Sequence, residues 1–364
     1  MLASLCFAAF APCIAPTAVS DFETAAPELT FAPAADTSLT FTLRHRSSVT
    51  LEEGSMTMFG QKMPMGDAGM EHESTLSLKF TQAYGERALQ PTRTLQTFEQ
   101  KATATMTEPG RDDDVLEGTL TSPLVGRAVR WRQAQGQDQP QPSFVDEQEP
   151  SEADQTLLQG LRYDLDALGL LPPAGADLEQ GWQAPASALG DLLAMGGDLR
   201  SSFSDEHLAE TSGQGLMFEP AAFWPLDIPL EGEVQLKLQA TRDKDGEQLA
   251  ILAVKADLQA EGSSLERHCD LNTHYCDCED LDCGCHPDPA QADRELQLDL
   301  EGTLVWNLDG NHLQGYFLEG DYAVHYVLAK AMFGGDDPED LSIFDARCTG
   351  EATWQMAVAP AAAR

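Results

Sequence analysis

Five of the chain's eight cysteines and three of its eight histidines lie in one short stretch, HCDLNTHYCDCEDLDCGCH (268–286). Two Cys-x-Cys pairs with imidazoles nearby could wrap a soft ion, Zn(II) or Cu(I), and the acidic residues between them would concentrate cations. No cofactor other than zinc or copper is indicated. The candidate metal ligands are Cys269, His274, Cys276, Cys278, Cys283, Cys285 and His286.

The same stretch has a second interpretation, because cysteines in an exported protein form disulfides by default. If Cys6 and Cys13 leave with a signal peptide, six cysteines remain, which permits three bridges. Cys348 is the only one outside the stretch, and its place in the apolar phase of a strand is also typical of a buried free thiol. We predict a disulfide-stapled loop, with a metal loop and a loosely ordered loop as the alternatives.

A methionine-rich segment, SMTMFGQKMPMGDAGMEH (55–72), holds five of the 11 methionines. Thioethers in Met-x-Met spacing suit Cu(I). The alternation of a hairpin explains the same spacing, because each Met-x-Met pair then lies on one face and its sulfurs pack as adaptable filler or line a ligand groove. The predicted groove residues are Met56, Met58, Met63, Met65 and Trp182.

Charge and motifs exclude several classes of function. Sixty acidic residues against 22 basic ones give a net charge of −38, which disfavours binding to nucleic acid and to anionic membrane surfaces. Apolar residues make up 42% of the chain, as in a globular protein. The sequence contains no Gly-x-Ser-x-Gly, no His-Glu-x-x-His, no phosphate-binding glycine loop and no dinucleotide fingerprint, so we predict that it is not an enzyme.

The first 20 residues, MLASLCFAAFAPCIAPTAVS, read as a signal segment, although no Lys or Arg precedes the apolar run. Residues 21–37 read as a flexible leader rich in Ala and Pro. We therefore expect an exported protein, periplasmic or extracellular. No other segment has the roughly 18 consecutive apolar residues of a membrane span, so no integral membrane segment is expected.

Period-two alternation dominates the rest of the chain and predicts long antiparallel strands joined by tight turns such as DKDG (243–246). We predict one β-rich domain over 38–358. It comprises a first β block (38–136), loops and helices (137–232), and a second β block (233–358) that carries the Cys/His-rich insertion at 263–293. Helices are expected near 152–168 and 186–195. The fold class is mainly β with a few helices (α+β), a large curved antiparallel sheet or half-barrel with a helix pair packed on its concave face.

The segment LGLLPPAGADLEQGW (168–182) carries a family resemblance through Leu171, Pro172, Gly181 and Trp182. It resembles uncharacterised exported bacterial β proteins whose architecture is similar to the lipoprotein-carrier (LolA/LolB-like) half-barrel. Those proteins often carry Gly-Asp where this chain has Glu179 and Gln180. The resemblance implies a cavity for an apolar small molecule or lipid.

Two hypotheses about function follow. The first is an exported β-sheet binding or scaffold protein that holds an apolar ligand between sheet and helices. The alternative is an exported metal-binding protein that uses the Cys/His-rich loop, with or without the methionine hairpin.

Overall fold

The computed structural model describes residues 27–64, 69–85, 90–107, 114–132, 140–145, 151–163, 166–197, 199, 202–203, 228–267, 289–331 and 341–361. These ranges form mainly β structure. The strands are β1 (Ser38–Met58), β2 (Gln61–Pro64), β3 (Gly69–Ala83), β4 (Thr92–Thr107), β5 (Asp114–Thr121), β6 (Ala128–Arg132), β7 (Gln141–Phe144), β8 (Trp182–Pro185), β9 (Ser202–Phe203), β10 (Glu231–Lys244), β11 (Glu247–Arg267), β12 (Pro289–Asn307), β13 (His312–Ala331) and β14 (Leu341–Pro360). The helices are α1 (Glu152–Leu158), a 3₁₀ turn (Leu168–Leu170) and α2 (Ala186–Leu193).

All of these strands belong to one antiparallel sheet, which confirms the predicted sheet type. Its order is β7-β6-β4-β3-β1-β14-β13-β12-β11-β10-β8, with β2 paired to β1, β5 to β4 and β9 to β5. The sheet is open, since β7 and β8 stand at the two ends of the order. The first and last strands pair at its centre, from Leu39 opposite Pro360 to Thr57 opposite Ile343.

The period-two pattern sorts the side chains onto two faces of the sheet. In β12, Leu296, Leu298 and Leu300 are buried while Gln297 and Asp299 between them are exposed. We call the face that carries these leucines the inner face and the opposite face the outer face. Each leucine removed from water contributes about 2 kcal/mol before entropy is counted, so the inner face supplies most of the stabilising energy.

Helix α2 lies on the inner face, near its predicted place. Its Leu189, Leu192 and Leu193 are almost fully buried, and the Tyr316 hydroxyl on β13 donates to the Leu192 carbonyl at 3.4 Å. The backbone turns left-handed at Met195 and Gly196, which ends the helix.

Helix α1 is shorter than predicted. Ser151 caps it, because its hydroxyl accepts a hydrogen bond from the Asp154 amide at 3.1 Å. The helix then ends at Leu158, since Gly160 adopts φ +81° and takes the backbone out of the helical region. Beyond it, Leu161 forms an isolated β-bridge with Gly197. The prediction of one helix to residue 168 was wrong, and a helix pair on one face is not supported.

Residues 145–181, which we call the crossover segment, connect β7 at one end of the sheet to β8 at the other. At its far end the segment joins β10, where the Leu238 amide donates to the Leu178 carbonyl at 2.8 Å. One connection therefore links the two open edges, which favours a sheet that bends around the segment.

The described part of the predicted leader, residues 27–37, packs against the sheet. Leu29 is buried, the Ala32 amide donates to the Asn311 carbonyl at 3.0 Å, and Phe31 meets Tyr84 edge to face. Among the described residues, no helix is long and apolar enough to cross a bilayer.

Candidate functional site on the outer face

The predicted metal ligands Cys269, His274, Cys276, Cys278, Cys283, Cys285 and His286 lie outside the described residues. Their flanking strands are in place, because the β11–β12 ladder runs without a break to Arg267 opposite Pro289. The strands thus extend into the predicted insertion at 263–293 from both sides.

The predicted methionine groove is only partly assembled. Met56 stands opposite Met63 of β2 on one side and opposite Phe344 of β14 on the other. Met63 is 46% exposed, and Phe59 in the hairpin turn is 60% exposed. Met58 is half-buried, and Met65 lies outside the described residues.

Trp182 is not close to these methionines in the sheet, because β14, β13, β12, β11 and β10 separate its strand from β1. Its side chain is buried. Its indole Nε1–H donates to the Leu170 carbonyl at 3.0 Å. Trp182 therefore packs in the core beside the 3₁₀ turn, and the structure does not bring it together with the methionines.

Cys348 is a free, buried thiol on the inner face. Burial raises the pKa of this thiol to about 12, and the Glu52 carboxylate adds to the rise. The side chain therefore packs as a small apolar group, in agreement with one of the two interpretations of its sequence position.

The outer face of the second β block carries a feature that sequence reasoning missed, a straight line of carboxylates across five neighbouring strands. Glu233 stands opposite Asp257, Asp257 opposite Asp299, Asp299 opposite Asp321, and Asp321 opposite Glu351. We call these five residues the acidic row. With strands about 4.8 Å apart, the row extends over about 19 Å.

The acidic row lies in an open depression of about 700 Å³. Two more carboxylates, Glu301 and Glu319, stand one pleat further along the same face, beside Lys255. The depression therefore holds seven carboxylates against one ammonium.

A second depression, of about 460 Å³, adjoins the first and is lined differently. It contains Lys237 and Lys255 together with the amides of Gln180, Gln183 and Gln235. Gln183 and Gln235 are direct cross-strand partners. The outer face therefore changes from acidic to amide-rich and basic toward the β8 edge.

Folding alone does not require the acidic row. Like charges directly opposite each other across a ladder destabilise a sheet, by a few tenths of a kcal/mol per pair at an exposed site. Within the described residues, none of the seven carboxylates forms an ion pair that would offset this cost. In the same ranges, no three His, Cys, Asp or Glu side chains are arranged to hold a metal ion.

The inner face holds the opposite arrangement, a small cluster of charged and polar side chains that are all buried: Gln82, Tyr84, Arg93 and Asp166. Asp166, in the crossover segment, accepts from the Tyr84 hydroxyl at 2.5 Å and from the Gln82 amide at 2.9 Å. Arg93 donates to the Gln82 carbonyl oxygen at 2.8 Å and lies over the Trp131 ring at 4.5 Å. One sequence signal could have revealed this cluster, since Gln82 and Arg93 occupy inward positions in the alternating patterns of β3 and β4.

Fold and surface together define a mainly β protein with one open antiparallel sheet and an acidic outer depression. No protein-family model matches the sequence, and no curated protein matches it. Among solved structures, the chain is similar to the "InvG secretin domain beta-barrel from Salmonella SPI-1 injectisome NC-base", at 6% identity and a TM-score of 0.14. The match covers 91% of this chain and 65% of that chain. A likeness this weak carries no argument about fold or function.

Proposed function

We propose that the protein is a non-catalytic binding or scaffold protein that acts through the outer face of its sheet and holds a cationic partner in the acidic depression. The observation that supports this is the acidic row, five carboxylates in register on a continuous sheet. Strands paired on both sides fix the spacing of these charges. A partner with positive charges would remove the repulsion and gain affinity without reorganising the sheet.

The charge of the whole chain works in the same direction. A net charge of −38 attracts cationic partners from a distance and speeds their encounter, an effect that salt weakens. We propose an exported location for this activity, on the strength of the apolar N-terminal segment.

The inner face offers less support for the apolar ligand that the sequence suggested. The cavity between β3, β4, β6 and Leu161 measures about 20 Å³, which is room for about one water molecule. An apolar small molecule or lipid would have to displace packed side chains there. The likeness to the lipoprotein-carrier half-barrel stays a prediction.

Binding of a fluorescent decalysine peptide, measured by anisotropy at low and at physiological salt, tests the proposal. The row variant is Asp257→Asn/Asp299→Asn/Asp321→Asn. The control variant, Glu28→Gln/Glu99→Gln/Glu179→Gln, removes the same amount of charge from exposed positions outside the depression. We expect about a tenfold loss of affinity in the row variant and less than about a twofold loss in the control. Equal losses in both variants would reduce the effect to net charge and refute a defined site.

Metal binding by the Cys/His-rich loop is the second candidate function. The β11–β12 ladder favours it, because pairing up to Arg267 and Pro289 holds the two ends of the loop together. Elemental analysis of protein purified without chelators tests it. Bound zinc or copper that disappears on Cys276→Ser/Cys278→Ser would support the metal loop, whereas a metal-free protein with no reactive thiols beyond Cys348 would favour disulfides.

A further inference from the structure

The β1–β2 hairpin presents three thioethers on one face. Met56 stands directly opposite Met63 in the ladder, and Met58 stands opposite Gln61. Residues opposite each other in a ladder share a face, and so do residues two apart in a strand. Met56, Met58 and Met63 therefore lie on the same side of the hairpin, and we call these three residues the methionine triplet.

A tight turn fixes the register of this hairpin. Phe59 and Gly60 have φ values of +52° and +69°, and positive φ at both central residues is typical of a two-residue type I′ turn. On its other side, β1 still pairs with β14 at this point, with Met56 opposite Phe344. Because the turn and the neighbouring strand both hold β1, Met56 and Met63 stay side by side.

The side chains of the triplet are open to solvent. Met63 is 46% exposed, and Met56 and Met58 are half-buried. A second pair of methionines, Met70 and Met106, also stand directly opposite each other, on β3 and β4. Met70 is buried and Met106 packs against the hydrophobic core. The core pair therefore acts as apolar filler, whereas the triplet can be reached by a ligand from solvent.

The charges around the hairpin suit a cation. Lys62 alternates with Met63, so its side chain lies on the opposite face. There its ammonium is 3.7 Å from the Asp345 carboxylate, which keeps it away from the thioethers. The net charge of −38 raises the concentration of cations around the whole molecule.

We propose that the methionine triplet binds one Cu(I) ion. Thioether sulfur is a soft, neutral ligand, which selects Cu(I) over hard cations such as Ca²⁺ and Mg²⁺. Directly opposite residues of a ladder have Cβ atoms about 5 Å apart and diagonal neighbours about 7 Å apart, and the three rotatable bonds of each methionine let the sulfurs turn toward a common ion. The ion enters and leaves as Cu(I), so no electron transfer is involved.

This site is independent of the acidic row and of the Cys/His-rich loop. Thiol and imidazole groups must be free of their protons to bind a metal, so their affinity falls with pH, whereas a thioether carries no proton. The triplet should therefore hold Cu(I) equally well at about pH 5 and at about pH 7. Carboxylate oxygens are hard ligands, so the acidic row should not compete with the triplet for Cu(I).

Methyl NMR of the full chain, labelled with ¹³C at the methionine methyl groups, tests the proposal. Free thiols are first blocked with N-ethylmaleimide. Cu(I) is then added as its acetonitrile complex without oxygen at about pH 5, where ordinary imidazoles are protonated. We expect Cu(I) to shift the methyl signals of the triplet and to leave those of the buried Met70 and Met356 in place. Zn(II) should shift none of them.

Two double variants assign the effect to the triplet. Met56→Leu/Met63→Leu removes two sulfurs with little change of volume, and Met58 remains as the reporter. It should weaken Cu(I) binding, measured in competition with acetonitrile, by at least about tenfold. The control, Met70→Leu/Met106→Leu, removes a cross-strand pair from the core and should keep the affinity of the natural chain.

Met63→Leu alone, at an exposed position, decides the matter if the double variant of the triplet does not fold, and it too should weaken binding. Triplet methyl signals that do not respond to Cu(I) would overturn the site. Equal losses of affinity in the triplet and control variants, or an equal response to Zn(II), would overturn it as well.

Discussion

The two faces of the sheet handle charge in opposite ways. On the inner face, Arg93 and Asp166 are buried, and each is hydrogen-bonded to protein groups. On the outer face, the acidic row places like charges side by side without an ion pair among the described residues. In a low-dielectric interior an unpaired charge costs several kcal/mol, whereas water and salt make the outer repulsion small. Folding thus dictates the inner charges and leaves the outer ones free, so the outer pattern says more about function.

The largest effect is expected from removing one inner charge. Arg93→Met should lower the free energy of unfolding by about 3–5 kcal/mol, because it leaves the buried Asp166 carboxylate uncompensated. Urea denaturation measures the loss. Arg44→Met on an exposed position of β1 should cost less than about 0.5 kcal/mol.

A double variant sharpens this test. Adding Asp166→Leu to Arg93→Met removes both buried charges, so it should cost clearly less than the sum of the two single losses. Additive losses would show that the two side chains act independently and would contradict the coupling through Gln82.

A second inner group predicts how stability depends on pH. His72 on β3 is 3% exposed, and burial lowers its pKa to about 4. The unfolded chain takes up a proton near pH 6.5 and the folded chain only near 4, so the contribution of His72 is complete above pH 6.5 and is lost as pH falls toward 4. The expected loss is on the order of 1–3 kcal/mol. His72→Phe should flatten the fall in unfolding free energy between pH 6.5 and 4.5, and equal slopes in both proteins would contradict the prediction.

Removing a charge from the outer face should raise the free energy of unfolding, and by less than the loss of an inner charge lowers it. Asp299 lies in the middle of the acidic row, so Asp299→Asn should raise the free energy of unfolding by about 0.3–1 kcal/mol, and Asp299→Lys by somewhat more. Thermal and urea denaturation at low salt measure the gain. Glu179→Gln, on an exposed turn outside the row, should change little. A destabilised Asp299→Asn would show that the row is structurally required.

The smallest effect is expected from salt. Raising NaCl from about 0.02 to 0.5 M shortens the screening length from about 20 Å to about 4 Å and should stabilise the natural chain by a few tenths of a kcal/mol. The variant with Asp257, Asp299 and Asp321 changed to Asn should gain less. Parallel salt curves for the two proteins would mean that the repulsion within the row is already negligible.

Much of the fold could be predicted from sequence, because alternation reports burial directly. The apolar positions of the alternating pattern are the buried positions in β10, at Val234 and Leu236, and in β12, at Leu296, Leu298 and Leu300. The turn at Asp245 and Gly246 gave the β10–β11 hairpin. The predicted helix over 152–168 was too long, because leucines recur at helical spacing past Gly160. The left-handed conformation of that glycine cannot be read from the spacing of the leucines.

The acidic row could not be predicted, because register across separate hairpins depends on more than local pattern. Turns relate β10 to β11 and β12 to β13, but bulges near Leu238 and Val305 shift those ladders by one residue. The pairing of β11 with β12 depends on a connection whose length does not set a register. The exposed acids in each strand were visible in the sequence. Their alignment into one row was not.

The central pairing of β1 with β14 has a consequence for how the chain is made. Ser38–Met58 is synthesised long before β14, so one of its two edges has no partner until residues 341–360 appear about 300 residues later. At about 5–20 residues per second this interval lasts about 15–60 s, during which an unpaired strand edge is open to wrong partners. Synthesis of β14 therefore decides whether the sheet is completed, and truncation of β14 should cause aggregation of the nascent chain rather than a slightly smaller folded protein.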